Sequence, residues 1–141
     1  MTKKLIYAFA FLFISASFMS CDKYEEGSNY TIYPAKFRLV REWRLVDQTK
    51  NGDSQNTTFS TQDITFGKNG SYGKTTVTET NSTSITDNEV GEWSFNDDKT
   101  KLIITTDNDV VTYTILQLKA SDLKLREVDG DDQYEFSYVA K

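Results

Sequence analysis

The chain has 141 residues, enough for one domain, with 21 acidic and 16 basic side chains, no histidine and a single cysteine. A formal charge of −5 argues against nucleic acid as a partner, because its phosphates would repel the chain, and against electrostatic docking on anionic lipid. Without histidine there is no His-based triad and no His-ligated metal site, and one cysteine forms no internal disulfide.

Lys3 and Lys4 open the sequence as a basic patch, and an almost wholly apolar run follows from Leu5 to Met19, centred on Phe9, Phe11, Leu12, Phe13 and Ile14. About fifteen apolar residues fall short of the roughly 20 that a spanning helix needs. A basic start and a short apolar run describe an export signal, so residues 1–20 are expected to be removed. Their loss takes away two lysines and no acid, which moves the formal charge from −5 to −7.

Cys21 stands directly after Ser17, Phe18, Met19 and Ser20. This placement resembles the lipobox of bacterial lipoproteins, in which a small residue precedes an acylated cysteine. The resemblance implies lipid attachment, of the palmitate kind, at Cys21; the other reading is a secreted chain with a free thiol. Several acyl chains, at about 0.8 kcal/mol per buried CH₂, anchor a protein stably. An acylated Cys21 offers no thiol for catalysis. From Asp22 to Asn29 the charge, Gly and Ser content has no periodicity, which predicts a flexible spacer over residues 21–36. Asp22, Lys23, Tyr24, Glu25 and Glu26 resemble the acidic export signals of Bacteroidota-type surface lipoproteins. The expected address is the outer membrane, with its face left open.

The folded domain is expected over residues 37–141, with room for a turn or two of helix between Ala35 and Glu42. Trp43 and Leu45 then share one face of a strand, as do Ile64 and Phe66. Residues 47–58 are polar and contain Asn51 and Gly52, so they read as a long loop able to act as a lid. Asn69 and Gly70 supply a hairpin signal. A Thr-rich stretch follows, and between Lys74 and Thr86 only Val77 and Ile85 are strongly apolar. That segment is expected to project as a solvated ribbon, ahead of the alternative that it flanks an opening in a wall. Gly91, Trp93 and Phe95 share a face, Leu102 to Thr105 is short and apolar, and a strand runs from Val110 to Leu118. Leu123 and Leu125 alternate with charges, and Tyr134, Phe136 and Tyr138 fall on one face after the Asp129 to Asp132 turn. About eight strands joined by turns predict an all-β, antiparallel, up-and-down barrel, which removes exposed edges by closing.

Phe66 to Tyr72, Gly91 to Phe95, and Tyr113 to Leu118 running on to Leu123, Lys124 and Leu125, together with Trp43, Arg44 and Leu45, resemble the small lipocalin-like domains of Bacteroidota lipoproteins. The resemblance implies a lipocalin-like barrel and brings no catalytic residue with it.

No nucleotide-binding glycine loop occurs. The carboxylates Asp97, Asp98, Asp107, Asp109, Asp129, Asp131 and Asp132 all fall in expected turns, where Asp is favoured for its backbone bonding, so neither enzyme activity nor a metal or cofactor is expected. The remaining feature is the barrel interior, since eight strands leave room for filling side chains or for one small ligand. Trp43, Phe66, Trp93, Phe95, Tyr113 and Phe136 are the candidate interior residues. Two functions follow. Either a monomeric, lipid-anchored protein binds a small apolar or amphipathic ligand, or a filled barrel contacts an envelope protein or glycan through its outer face or its Thr-rich ribbon.

Overall fold

The computed structural model describes residues 23–26, 32–56 and 60–141; the export signal and Cys21 lie outside the described residues. Pro34 precedes helix α1, Ala35–Leu39, at a position where a missing N–H costs nothing. The strands are β1 Glu42–Lys50, β2 Asp53–Ser54, β3 Ser60–Phe66, β4 Ser71–Thr80, β5 Thr83–Phe95, β6 Lys101–Thr106, β7 Val110–Leu118, β8 Asp122–Asp129 and β9 Asp132–Ala140. From β3 to β9 each strand pairs antiparallel with the next, and β1 pairs with β3 on one side and β9 on the other. The β1–β9 register runs from Trp43↔Ala140 to Lys50↔Tyr134. The sheet therefore closes into the expected barrel of eight strands, with β2 as a short addition to β1.

Two bulges break the alternation that a plain reading of the strands assumes. The first lies between Leu45 and Asp47 in β1; it leaves Val46 51% exposed and brings Gln48 and Lys50 opposite Phe136 and Tyr134. The second lies between Ile115 and Gln117 in β7, where Ile115, Leu116 and Leu118 are all buried. An extra residue per bulge reverses the parity of everything after it and bends the strand.

The two ends of the barrel differ. One end carries α1, the β3–β4, β5–β6 and β7–β8 turns, and most of the core. Leu39, Trp43, Phe66, Leu102, Leu118 and Leu123 are almost completely buried. Trp43 Nε1 donates to the Leu39 carbonyl at 2.9 Å and Trp93 Nε1 to the Gly67 carbonyl at 3.0 Å, so each indole fills space and ties off its polar edge. Arg38, buried at 8% exposure, donates to the Leu118 carbonyl and stands over the Tyr24 ring at 6.0 Å. This end is closed.

Three expectations need correction. The spacer predicted over residues 21–36 is not free where it is described. Tyr24 is 2% exposed, and its hydroxyl donates to the Lys99 carbonyl at 3.2 Å. Glu26 bonds β7 through its backbone N–H to Leu116 and reaches Lys124 with its carboxylate at 2.8 Å, while Glu25 meets Arg126 at 3.1 Å. The one aromatic ring among Asp22 to Glu26 is buried, which composition conceals. Secondly, residues 47–58 are not a long lid. β1 continues to Lys50, Asn51 and Gly52 turn with φ of 52° and 89°, and Asp53 and Ser54 return onto Lys50 and Thr49. Left-handed φ at two successive turn residues is what Asn-Gly permits. Residues 57–59 lie outside the described residues. Thirdly, the segment expected as a ribbon is wall on one side: β4 pairs with β3 as far as Ser60↔Thr78. Only β5 projects. Its pairing with β6 starts at Gly91, so residues 83–90 pair with β4 alone, and β6 ends short of them.

Gly91 has a specific reason to be glycine, because a Cβ there would sit 2.2 Å from the Thr105 carbonyl oxygen. Gly91→Ala is expected to cost about 2–3 kcal/mol through forced separation of β5 and β6, whereas Gly73→Ala, with open space at its Cβ, should be within about 0.5 kcal/mol of neutral; urea denaturation of both variants checks the contrast. Asp63 joins β1 to β3 through Arg44 at 2.8 Å and reaches Lys141 at 2.8 Å. The Arg44 hydrogen bond, aided by Lys141, holds its carboxyl down at about 2. A depressed folded-state pKa contributes stability above the unfolded value near 4, and that contribution is lost as pH falls through about 2. Asp63→Asn should flatten the acid limb of the stability–pH curve over that window while costing no more than about 1 kcal/mol at neutral pH, as measured by thermal melts across the series.

Candidate functional site

Above the closed end the barrel is not filled. A cavity of about 230 Å³ lies among inward residues of β3, β4 and β6 to β9. Its apolar surface comes from Ile64, Ile104, Leu125 and Phe136. Polar groups interrupt it on several strands: Gln62, Tyr72, Lys74, Tyr113, Glu127 and Tyr138. Register explains the convergence, since residues directly opposite share a face. Leu125 pairs with Phe136, Glu127 with Tyr134 and Leu123 with Tyr138, while Lys74 stands opposite both Ile64 and Glu89.

Three phenols enter this space. Tyr138 is 6% exposed and its hydroxyl accepts from Gln62 Nε2 at 3.4 Å. Burial, first of all, pushes the Tyr72, Tyr113 and Tyr138 hydroxyls well above the ordinary tyrosine value. Glu89 adds to the shift at Tyr72 and Tyr113, and Glu127 at Tyr113 and Tyr138. All three stay protonated and serve as neutral hydrogen-bonding groups. Tyr113 packs edge-on to Phe136 with ring centres 6.0 Å apart.

The charged groups are unequally matched. Lys74 is held by Glu89 at 3.0 Å. Glu127 has no ion pair of this kind among the described residues, and its carboxyl is raised by partial burial first, then by Asp129 and Asp109, with Lys74 opposing more weakly.

A second hollow, of about 350 Å³, opens where β1 and β3 part company. Their pairing stops after Arg44↔Asp63, and the gap beyond is bounded by Leu45, Val46, Gln48, Gln55, Asn56, Ser60 and Gln62. The Asn56 side chain pins one flank through the Gln48 N–H at 2.9 Å and Asp47 at 2.8 Å. Gln62 borders both spaces.

The six aromatic residues singled out in the sequence separate along the barrel axis. Trp43, Phe66 and Trp93 are buried in the packed floor, where Phe66 and Trp93 meet edge-to-face with centres 5.8 Å apart. Phe95 is half-buried against Trp93 at 5.4 Å. Tyr113 and Phe136 line the cavity. The cavity residues missed were the aliphatic Ile64, Ile104 and Leu125 and the polar Gln62, Tyr72, Lys74, Glu127 and Tyr138. Their signal was parity: Glu127 continues the series of Leu123 and Leu125, Lys74 that of Tyr72, and Gln62 that of Ile64 and Phe66.

Residues 39–125 match the family model of the lipocalin-like domain. A lipocalin-like protein from Bacteroides uniformis superposes with a TM-score of 0.56 at 17% identity, covering 74% of this chain and 99% of that one. Two bovine structures superpose more loosely. They are the lipocalin allergen Bos d 2 (TM-score 0.47, 13% identity, 75% of this chain and 74% of that one) and the odorant binding protein complexed with its natural ligand (TM-score 0.45, 13% identity, 83% and 77%). No curated protein matches the sequence.

Proposed function

The chain belongs to the lipocalin-like domain family, and from that premise we propose that it is a small-molecule carrier whose barrel receives one amphipathic ligand and whose Cys21 is acylated in the outer membrane. The observation that carries the reading is a barrel filled to half its height: a packed aromatic floor with an unfilled, mixed-polarity cavity above it. About 230 Å³ lies below the roughly 300 Å³ at which pockets for drug-sized ligands begin. The guest is therefore compact, smaller than a long acyl chain, with an apolar body for Ile64, Ile104 and Leu125 and at least one hydrogen-bonding group for the phenols.

The docked N-terminal segment supports an orientation. Tyr24, three residues after Cys21, is buried at the closed end. Acyl chains on Cys21 would leave from that end and direct the cavity mouth away from the bilayer. Exposed side chains there suit a lipid surface: Phe37 is 67% exposed in a hollow shared with Lys36 and Lys68. Lysines beside an exposed apolar ring attract anionic headgroups while the ring enters the interface.

The β5 edge over residues 83–90 favours a second reading, in which a partner strand adds to the projecting hairpin. Ile85 and Val90 are 52% and 70% exposed there. Shortening this hairpin while the barrel stays folded separates the two readings, since a carrier keeps its ligand and an interaction module loses its partner.

Native mass spectrometry of the chain purified from its envelope should reveal a bound small molecule. Ile104→Trp, which fills the cavity, should lose it with at least a tenfold fall in affinity; an empty wild-type barrel that also ignores a panel of amphipathic probes would sink the carrier reading. Labelled palmitate should enter the wild type but not Cys21→Ala, which should leave the membrane pellet. An unmodified mature terminus would refute the anchor.

A further inference from the structure

We infer that the cavity selects a small organic ammonium, seated between the cavity phenols and the Glu127 carboxylate, over neutral or anionic guests of the same shape. The inference deepens the carrier reading and rests on it. Three observations lead to it. The first is the imbalance of charge in the wall: the one lysine there is already engaged by Glu89 at 3.0 Å, while Glu127 faces the same space with no ion-pair partner among the described residues. A buried or half-buried carboxylate without a counter-ion is a standing cost that a cationic guest relieves.

The second is the lining itself. Tyr72, Tyr113, Phe136 and Tyr138 present aromatic surface on three different strands around one small volume. Ring faces carry the negative part of the quadrupole and attract ammonium groups, more strongly where water is excluded. The phenolic oxygens, all protonated, keep lone pairs free to accept from an N–H donor.

The third is the approach. The open end carries Asp107 and Asp109 between β6 and β7, Asp129 at the end of β8, Asp131 in the turn after it and Asp132 at the start of β9. Lys50, the basic group at this rim, is occupied by Asp132 at 2.8 Å. Clefts rimmed by one sign of charge concentrate counter-ions and speed their entry. An anion meets this field at the mouth and finds Lys74 already paired inside.

Three probes of nearly equal shape test the idea: 2-phenylethylamine, 2-phenylethanol and phenylacetate, titrated calorimetrically into the full chain at mildly alkaline pH. The ammonium is expected to bind about tenfold more tightly than the alcohol, with the carboxylate weakest. Glu127→Gln should bring the ammonium-to-alcohol ratio close to one. Lys74→Gln, which releases Glu89, should raise that ratio, and the opposite signs cannot both come from loss of fold. Phenylacetate binding as tightly as the amine, or a ratio unmoved by Glu127→Gln, overturns the selectivity and leaves the carrier reading standing. Failure of all three probes to bind overturns the carrier reading for compact guests along with it.

Discussion

Closure of β9 onto β1 is the constraint on which the rest of the structure depends. Eight antiparallel strands joined by hairpins form only a twisted sheet until the register from Trp43↔Ala140 to Lys50↔Tyr134 joins the last to the first. With that seam made, no backbone edge is left along most of the barrel, and alternation acquires a meaning, inside against outside. Ion pairs gather at the closed end of the seam. Arg44, Asp63, Lys141 and Glu42 form a linked charge cluster across β1, β3 and the C-terminus. Each pair adds little alone; together they tie β1, β3 and the C-terminus beside the position where Trp43 enters the floor.

The closed end and the cavity follow from where large and small side chains fall along that register. Indoles at 43 and 93, with Phe66 and Leu39, fill the volume under α1 and satisfy their N–H groups on nearby carbonyls. Higher up, β4 and β5 bring Thr, Lys and Glu to the inner face where apolar side chains would be needed to fill it. The space is left open because threonines and engaged ions are too short or too committed to close it. The same polar stretch lets β5 outrun β6, so the wall is lower beside the mouth.

Charge is distributed with the same asymmetry. Lys36, Lys68, Lys99 and Lys119 are exposed on α1 and the closed-end turns, where Asp97 and Asp98 are the exposed turn acids, whereas Asp107, Asp109, Asp129 and Asp131 are exposed on turns of the open end. A net charge of −5 argued against attraction to anionic lipid, but a whole-chain sum says nothing about a molecule whose two ends differ in sign. The docked Tyr24 segment belongs to the basic end, so chain tether and favourable field coincide there.

Sequence by itself determined the barrel. Period-two alternation, turn residues at each junction and a strand count near eight leave few other ways to bury Trp43, Ile64, Phe66, Trp93, Leu123 and Leu125. It also determined the inner face for most strands, because parity is a local property of the chain. Tertiary structure decided height and company. Whether an inward ring joins the floor, as Phe66 does, or borders a void, as Tyr113 and Phe136 do, depends on strand stagger and on the bulges after Leu45 and Ile115, neither of which alternation encodes. It decided that the inner-face positions of Glu127 and Lys74, which parity marks, border a void, that Tyr24 is buried at the closed end, and that Asp107, Asp109, Asp129 and Asp131 come together at one rim. Each of these is a relation between residues on different strands, and such relations exist only once the sheet has closed.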